Sequence, residues 1–526
     1  MKKKKLLLIN PNDTTLTYGE FKLVGHITKK SAAYACVALA TVAALTPKDR
    51  FDVVIVDDRI QPIDFDGPWD LVGITGYSNH VHRIEEIAGE FRKRGVPVVC
   101  GGAGVTIDPE RWRPFADVLV LGEAERIWPL FLQDFLKGSY EAEYRDDEKF
   151  DLSVTPPADY SSVADETMGK YQAGIVQTSR GCPFNCEFCD AIVYAGRKTR
   201  YKKTEVILHE LEDLYGRGIR YVFLGDDNFS ANRKRAKEIL RAISGWNRGK
   251  RRPVILATAL TIDVARDDEF LRIAAEAGLT RVFVGLESVN EESLRESNKL
   301  INLRGRPEDG VCRFQEHGIV VLGGCMVGFD HDDLSIFRRQ FAFFSDLGIP
   351  NVFVIPVHAA DGTPLKRRMV EEGRYIDYQA GGEDGERQID IFHTFTIVPK
   401  QMSVEQLQQG AYWLGWKLYD PDNFLQRLDR FFRTYEASSV KDSLDIPTGY
   451  DADGVRFLLR LVRHVAFRAP AWERRLLWGA LRVARTSSHP QRWEIALSGS
   501  LFVINARANL QTANPRIADV TYPGGA

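Results

Sequence analysis

Short apolar runs alternate with amphipathic stretches over the first 140 residues. Leu6 to Ile9, Val53 to Val56, Leu71 to Ile74, Val96 to Cys100 and Val118 to Leu121 are four or five residues long and apolar almost throughout. Between them, Tyr34 to Leu45, His80 to Lys93 and Glu123 to Leu136 carry the helical period. Continuously apolar strands separated by helices predict a parallel sheet covered on both faces. Such a sheet binds ligands at the carboxyl ends of its strands. Three loops fall there: Thr75-Gly76-Tyr77-Ser78, Gly101-Gly102-Ala103-Gly104-Val105-Thr106 and Gly122-Glu123-Ala124-Glu125. Glycine lets backbone approach a ligand closely.

Residues 141–170 are rich in Asp, Glu, Pro and Ser and are expected to be a linker. Residues 171–375 then repeat a strand–helix unit six times, with strands at Gly174 to Thr178, Tyr221 to Leu224, Val254 to Thr258, Arg281 to Gly285, Val320 to Met326 and Val352 to Pro356. Six units predict an open partial (β/α)6 barrel with its chemistry at the carboxyl ends of the strands. Beyond the break at Gly381 to Gly385, residues 376–526 are mostly helical, notably Glu405 to Leu418 and Asp422 to Thr434. Arg456 to Phe467 and Ala471 to Arg485 form a basic amphipathic pair. Arg456, Arg460 and Arg463 share one face, and Phe457, Leu458, Leu461 and Val465 the other. Such helices either pack on a core with a solvated basic side or lie on an anionic membrane surface.

The densest chemistry is Thr178-Ser179-Arg180-Gly181-Cys182-Pro183-Phe184-Asn185-Cys186-Glu187-Phe188-Cys189, directly after the first barrel strand. Three thiolates are one short of the usual ligand set of a [4Fe–4S] cluster and leave one iron open. The alternative, a structural zinc knuckle, needs a fourth nearby ligand. Asp190 to Lys203 supply neither Cys nor His.

At 526 residues the chain has room for three or four domains, and its net charge of −2 excludes a global field for nucleic acid. No apolar run approaches the roughly 18–20 residues of a bilayer span. Lys2 to Lys5 and Leu6 to Ile9 imitate a signal peptide, but Asn10 and Pro11 end the run early. Seven cysteines, three of them clustered, do not make a disulfide framework, and a reducing, cytoplasmic setting is expected. Cys36, Cys100 and Cys312 are expected to be small core residues. His80 and His82, two apart on a helix, are expected at the surface. Cys325, on the fifth barrel strand, is either a packing residue or a hydrogen-atom donor.

The cysteine spacing resembles that of the radical S-adenosylmethionine (SAM) superfamily. The resemblance implies that the open iron chelates SAM, that one electron from the cluster cleaves it, and that an external flavodoxin or ferredoxin supplies that electron. Phe188 stands where an aromatic packs near the SAM adenine. Gly225-Asp226-Asp227-Asn228 replaces a Gly-Gly-Glu-like turn that takes the SAM ammonium. Glu287 and Ser288, in Gly285-Leu286-Glu287-Ser288, match a turn that contacts the ribose or carboxylate. Gly328, in Met326-Val327-Gly328-Phe329-Asp330, matches backbone presented to the adenine. Gly362-Thr363-Pro364-Leu365 resembles a further recurrent turn.

Residues 1–140 resemble the Rossmann-like cobalamin-binding domain that precedes many such barrels, which would place cobalamin near Thr75, Gly76, Gly101, Gly102 and Gly122. The familiar cobalt-ligating Asp-x-His-x-x-Gly is absent: the matching loop reads Asp57-Asp58-Arg59-Ile60-Gln61-Pro62. Cobalamin held without a protein imidazole, or a degenerate domain kept for packing or substrate, both remain open. Asn10-Pro11 with Gly19 and Phe21, Asp226 to Phe229 with Asn232-Arg233-Lys234, Ile397 to Lys400 and Tyr419-Asp420-Pro421 resemble hopanoid-methylase-like members. The resemblance implies an α/β chain of three domains: an N-terminal Rossmann-like domain (1–140), a partial radical SAM barrel (171–375) after a linker (141–170), and a helical C-terminal domain (376–526). It implies methyl transfer to an unactivated carbon of a lipid or other small natural-product precursor, assisted by cobalamin. Two other readings are a cobalamin-independent enzyme that couples, cyclises or rearranges its substrate with a deoxyadenosyl or aminocarboxypropyl radical, and a carrier or sensor without turnover.

Overall fold

The computed structural model describes residues 2–12, 25–377, 395–448, 460–465 and 467–523. Gly19, Phe21, Gly381 to Gly385, Arg456, Phe457 and Leu458 lie outside the described residues. Strands β1 (Lys4–Asn10), β3 (Phe51–Asp57), β4 (Leu71–Thr75), β5 (Val98–Gly101), β6 (Val118–Gly122) and β7 (Glu143–Asp146) form one parallel sheet in the order β3-β1-β4-β5-β6-β7. The missing label, β2, is Ala32–Tyr34, which pairs elsewhere. Leu6, Leu7, Leu8 and Ile9 are all buried, because helices cover both faces. The helix Val81–Lys93 buries Ile84, Ile87, Ala88 and Phe91 against one face. The helix Ala124–Lys137 buries Ile127, Trp128, Phe131 and Leu132 against the other. Strand order reverses at β1, so the crevice opens where β1 and β4 end.

The second sheet is also wholly parallel: β8 (Tyr171–Val176), β11 (Tyr221–Leu224), β12 (Ile255–Leu260), β13 (Leu279–Glu287), β14 (Val320–Val327) and β15 (Asn351–Pro356). These are the six predicted barrel strands. The sheet has a seventh member. β2 pairs with β8, Ala32 beside Tyr171 and Tyr34 beside Ala173. The pattern from Tyr34 to Leu45 therefore divides into the end of a strand and a helix, Val37–Leu45. The expected linker also differs: β7 extends the first sheet, and Leu152, Tyr160, Val163 and Met168 are buried beyond it. β7 is an edge strand of charged residues with Tyr144 turned inward, so its composition reads as loop. A short antiparallel pair, β9 (Ser179–Arg180) and β10 (Arg200–Tyr201), splints the cysteine loop.

Helices Val404–Leu418, Pro421–Glu436, Ala471–Arg485 and Arg492–Ala513 make the C-terminal part. They dock on the outer edge of the barrel sheet. Tyr419 donates to the Val352 carbonyl at 2.9 Å, and Phe502 meets Phe353 with ring centroids 5.0 Å apart. One continuous apolar core runs through all three parts. Cys325 and Cys100 are buried and Cys36 is half-buried. Cys312 is exposed instead, on the outer side of the helix Pro307–Glu316, since that helix buries Val311 and Phe314. Cys325 belongs to the main core, which fits the packing role rather than the hydrogen-atom donor.

His489 pins the helical part to the start of β14. It is fully buried, Nε2 faces the Gly318 carbonyl at 3.0 Å, and Nδ1 accepts from the Gln491 amide at 3.0 Å. Burial pulls its pKa down to about 4. Its folded pKa is thus below the usual unfolded value of about 6.5, and folding excludes a proton. The stability this neutral imidazole allows is complete above that value and is lost as pH falls toward 4. Over that window the loss should be about 3 kcal/mol. Thermal unfolding of the metal-free chain should shift steeply there, and His489→Gln should flatten the shift.

Candidate active site

The cysteine loop leaves β8 at Val176 and is fastened from below by a carboxylate. Asp226, buried at the end of β11, accepts from the Thr178 amide at 2.7 Å, the Thr178 hydroxyl at 2.5 Å, the Ser179 amide at 3.0 Å and the Ser179 hydroxyl at 2.8 Å. Burial pushes its pKa up to about 6 against those four donors. Asp227 Oδ2 accepts from the Gly181 amide at 2.7 Å. Among the described residues its Oδ1 has only the distant Tyr194 hydroxyl, at 3.5 Å. Gly181 turns the chain at φ +98°, and a Cβ there would lie 2.6 Å from the Lys198 carbonyl oxygen. The sequence offers two adjacent carboxylates; the structure commits Asp226 to the loop and leaves Asp227 an open oxygen.

Cys182, Cys186 and Cys189 follow along this one loop. The Cys189 amide donates to the Cys186 carbonyl at 3.2 Å, and Asn228 Nδ2 points at Cys182 Sγ from 3.9 Å. Burial pushes all three thiols up, Cys189 to about 12. Desolvated thiolates need a metal's charge to form. Among the described residues no group of three or more His, Cys, Asp or Glu side chains is gathered as a metal-ligand set. The ligand assignment therefore rests on spacing and surroundings. Those surroundings suit a net-negative cluster: an amide donor at Cys182 and one buried cation, Lys299. Lys299 Nζ lies 3.0 Å from Glu287 Oε1 and 6.0 Å from the Phe188 ring centroid. Burial alone would discharge it, but Glu287 and the nearby cysteines hold it protonated. No sequence signal marked Lys299. It follows a short helix and reaches the site only by tertiary packing.

The remaining SAM candidates line the same strand ends. Glu287 sits at φ +61°, beyond a bulge in β13, with its carboxylate turned to Lys299. A side chain held in this region costs of order 1–3 kcal/mol, a mark of functional sites. Ser288 Oγ accepts from the Asn290 amide at 3.1 Å. The Gly328 amide donates to Asp332 at 3.0 Å. The Phe188 ring lies 6.2 Å from that of Phe329. Phe188 and Gly328 thus line a pocket together with Phe329, Val357 and Ile397, whereas Gly225 lies elsewhere, at the end of β11 against Ile175. Thr363 caps the helix Pro364–Glu371, accepting from the Lys366 amide at 3.2 Å.

The crest of the first sheet faces this mouth. Thr75, Gly76, Gly101 and Gly102 are neighbours: the Gly76 amide donates to the Gly101 carbonyl at 3.1 Å, and a Cβ on Gly102 would lie 2.8 Å from Thr75 Oγ1. Gly122 sits beside them, its amide donating to Thr106 Oγ1 at 3.0 Å. Its φ is +106°, and a Cβ would lie 2.1 Å from the Asp146 carbonyl oxygen, so the chain's own packing already requires glycine there. The loop after it is a clasp. Glu123 takes Arg200 at 2.6 Å and Glu125 takes Arg180 at 2.7 Å, joining the crest to the cysteine loop. At the place of the familiar histidine, Arg59 is held by Asp57 at 2.6 Å and by the Tyr34 carbonyl at 3.0 Å. A guanidinium cannot ligate cobalt, so this loop offers any cobalamin no imidazole. His80 Nδ1 is occupied by the Tyr77 amide at 3.2 Å, and His82 is exposed.

Tyr77 marks the space between the two parts. It is 52% exposed, yet its hydroxyl is pushed up to about 12 by burial and by Cys36, Asp190 and Asp227. It stands at the crevice where β4 ends, and its neighbour Ser78 donates to Asp361 of the barrel part at 3.1 Å. On the barrel side the Tyr194 hydroxyl points at Asp227 from 3.5 Å. The crevice can bring a group carried on the first sheet to a radical formed at the cysteine loop.

Residues 176–343 match the radical SAM superfamily. The chain carries a radical SAM domain. In this radical SAM protein, residues 34–131 match a B12-binding domain and residues 363–508 a domain of unknown function. It is 29% identical to an uncharacterized methyltransferase of Synechocystis sp. over 84% of this chain and 81% of that one. It is 28% identical to the hopanoid C-2 methylase of Rhodopseudomonas palustris over 71% of each chain. Among solved structures it superposes on the radical SAM methyltransferase TsrM of Kitasatospora setae with a TM-score of 0.64 at 17% identity, covering 96% of this chain and 99% of that one. The superposition bears out the three-part α/β architecture expected from sequence.

Asp226→Ala should unfasten the loop and cut iron incorporation, read as iron per chain after anaerobic reconstitution. Asp227→Ala should spare iron loading and weaken SAM binding about tenfold or more, since it removes a charge-assisted acceptor worth about 1.5–3 kcal/mol. Unchanged SAM affinity in that variant would move the ammonium site elsewhere.

Proposed function

We propose that this radical SAM enzyme is a C-methyltransferase that carries cobalamin on its first domain and methylates an unactivated carbon. The observation supporting this most is the contact between the two parts: the crest of a B12-binding-type sheet meets the barrel through Ser78 and Asp361, and meets the cysteine loop through the clasp of Glu123 and Glu125. The methyltransferases among its relatives agree. When bound, the cluster with SAM supplies one-electron bond cleavage and cobalamin supplies a methyl carrier. The chain's residues do the positioning. Cys182, Cys186 and Cys189 hold the cluster, Asp227 takes the SAM ammonium, Glu287 with Ser288 borders its ribose or carboxylate, and Phe188 with Gly328 borders its adenine. Thr75, Gly76, Gly101, Gly102 and Gly122 carry the cobalamin side, and the clasp of Glu123 and Glu125 fixes its distance. We assign the methyl carrier to the segment through Asp146 and SAM cleavage to residues 171–375. A flavodoxin- or ferredoxin-type donor in a reducing, cytoplasmic setting would feed the cluster.

Reconstitution with iron, sulfide and hydroxocobalamin tests this. The chain should bind about one corrinoid, form 5′-deoxyadenosine, and lose that product when all three cysteines become Ala. No corrinoid binding at tens of micromolar, with SAM cleavage intact, would favour the cobalamin-independent radical enzyme. Cleavage by the triple variant would remove the cluster assignment.

We also propose peripheral docking on an anionic bilayer. Among the described residues no helix is long and apolar enough to cross a membrane. The C-terminal part nonetheless exposes Val462 (54%), Phe467 (83%) and Trp478 (59%). Arg463, Arg468, Arg474, Arg475, Arg482 and Arg485 are exposed around them. Each such cation adds about 1 kcal/mol at an anionic surface. The chain should co-sediment with vesicles containing phosphatidylglycerol and not with neutral ones, and Phe467→Ala with Trp478→Ala should abolish it.

A further inference from the structure

The barrel sheet treats its two faces differently. On the helix-facing side Val222, Leu256, Val282, Val321 and Val352 are buried. On the opposite face the alternate residues are only half-buried: Phe223 on β11, Ala257 and Ala259 on β12, Phe283 on β13, and Phe353 on β15. The registers set them side by side, with Phe223 beside Ala257, Ala259 beside Phe283, and Gly285 beside Gly324 beside Phe353. A filled barrel puts layers of bulky side chains here. This one sets aromatic rings and Leu322 beside Ala and Gly and leaves that face half-exposed, so a hollow is left in front of it.

The walls are coherent in chemistry. Ring centroids lie 5.4 Å apart for Tyr34 and Phe223, 5.5 Å for Phe283 and Phe353, and 5.0 Å for Phe353 and Phe502, the last from the helix that closes the side beyond β15. The charged side chain at the foot of this face, Arg281, is neutralised by Glu494. The mouth of the hollow is the strand-end crescent that carries the cysteine loop.

We infer that this hollow holds the methyl acceptor and that the body inside it is an uncharged hydrocarbon ring system. The inference rests on the methyl-transfer reading and adds the substrate class. An amino acid or nucleotide would bury a charge among these walls without a partner, which is strongly unfavourable. Flat or alicyclic rings stack on the aromatic walls and remove their half-exposed surface from water. The small residues of β12 and the Gly285–Gly324 pair set the width. A Cβ on Gly324 would already lie 3.0 Å from the Phe283 ring.

Pyrene, an uncharged fused-ring hydrocarbon, is the probe. The reconstituted full-length enzyme should bind it with an emission band ratio of an apolar environment. Ala257→Trp should weaken binding about tenfold or more, as should the smaller intrusion Ala259→Leu. Both should keep the wild-type thermal midpoint. Trp478→Ala, on the outer surface, should leave pyrene binding unchanged. Absence of pyrene binding by the wild type, equal binding by both intruding variants, or displacement of pyrene by micromolar L-tryptophan would overturn the inference. Loss of corrinoid binding with pyrene binding intact would instead count against the methyl-transfer reading alone.

Discussion

The arrangement depends on charges buried at the seam between the two sheets. Glu123 and Glu125 leave the crest of the first sheet and meet Arg200 and Arg180 from the cysteine loop. Glu123 also accepts from the Phe150 amide at 2.6 Å. Both side chains on the acidic side are nearly inaccessible to water. A buried pair adds little net stability, but leaving one partner alone costs about 3–5 kcal/mol. The seam is therefore specific rather than strong: it penalises any slip of one sheet along the other. Since the crest and the cysteine loop must face each other at a fixed separation, specificity is what the site needs.

A second constraint acts from below. Asp226 spends both oxygens on Thr178 and Ser179, so the loop that carries the three cysteines starts from one position. Lys299 and Glu287 then place a neutral ion pair beside those cysteines instead of a bare charge. Positive φ at Glu287 is tolerated because the pair over-determines it.

Much of this was legible in the chain. Every predicted strand of both sheets exists, because a strand buried on both faces writes itself as an unbroken apolar run. The cysteine triad was legible because its ligands are close in sequence. Three features were not. β2 is three residues long and merges with the helix that follows it. β7 is an edge strand whose charges face water. Lys299 enters the site from a turn, by contacts far apart in sequence, and no periodicity announces that. Likewise, adjacent carboxylates look equivalent until the fold turns Asp226 down and Asp227 up.

The position of β2 affects how the chain can be divided. The polypeptide lays down β1 in the first sheet, crosses to place Ala32–Tyr34 beside β8, and returns to build β3. The two sheets are thus threaded through each other rather than strung in series. During synthesis the β2 segment must wait for its partner β8, well over a hundred residues later, a contact of high sequence separation that slows assembly. A chain cut to begin after the first sheet would not be a smaller barrel. It would leave β8 as a bare edge, with unpaired amide and carbonyl groups inviting association. The two sheets are, in topological terms, one folding unit.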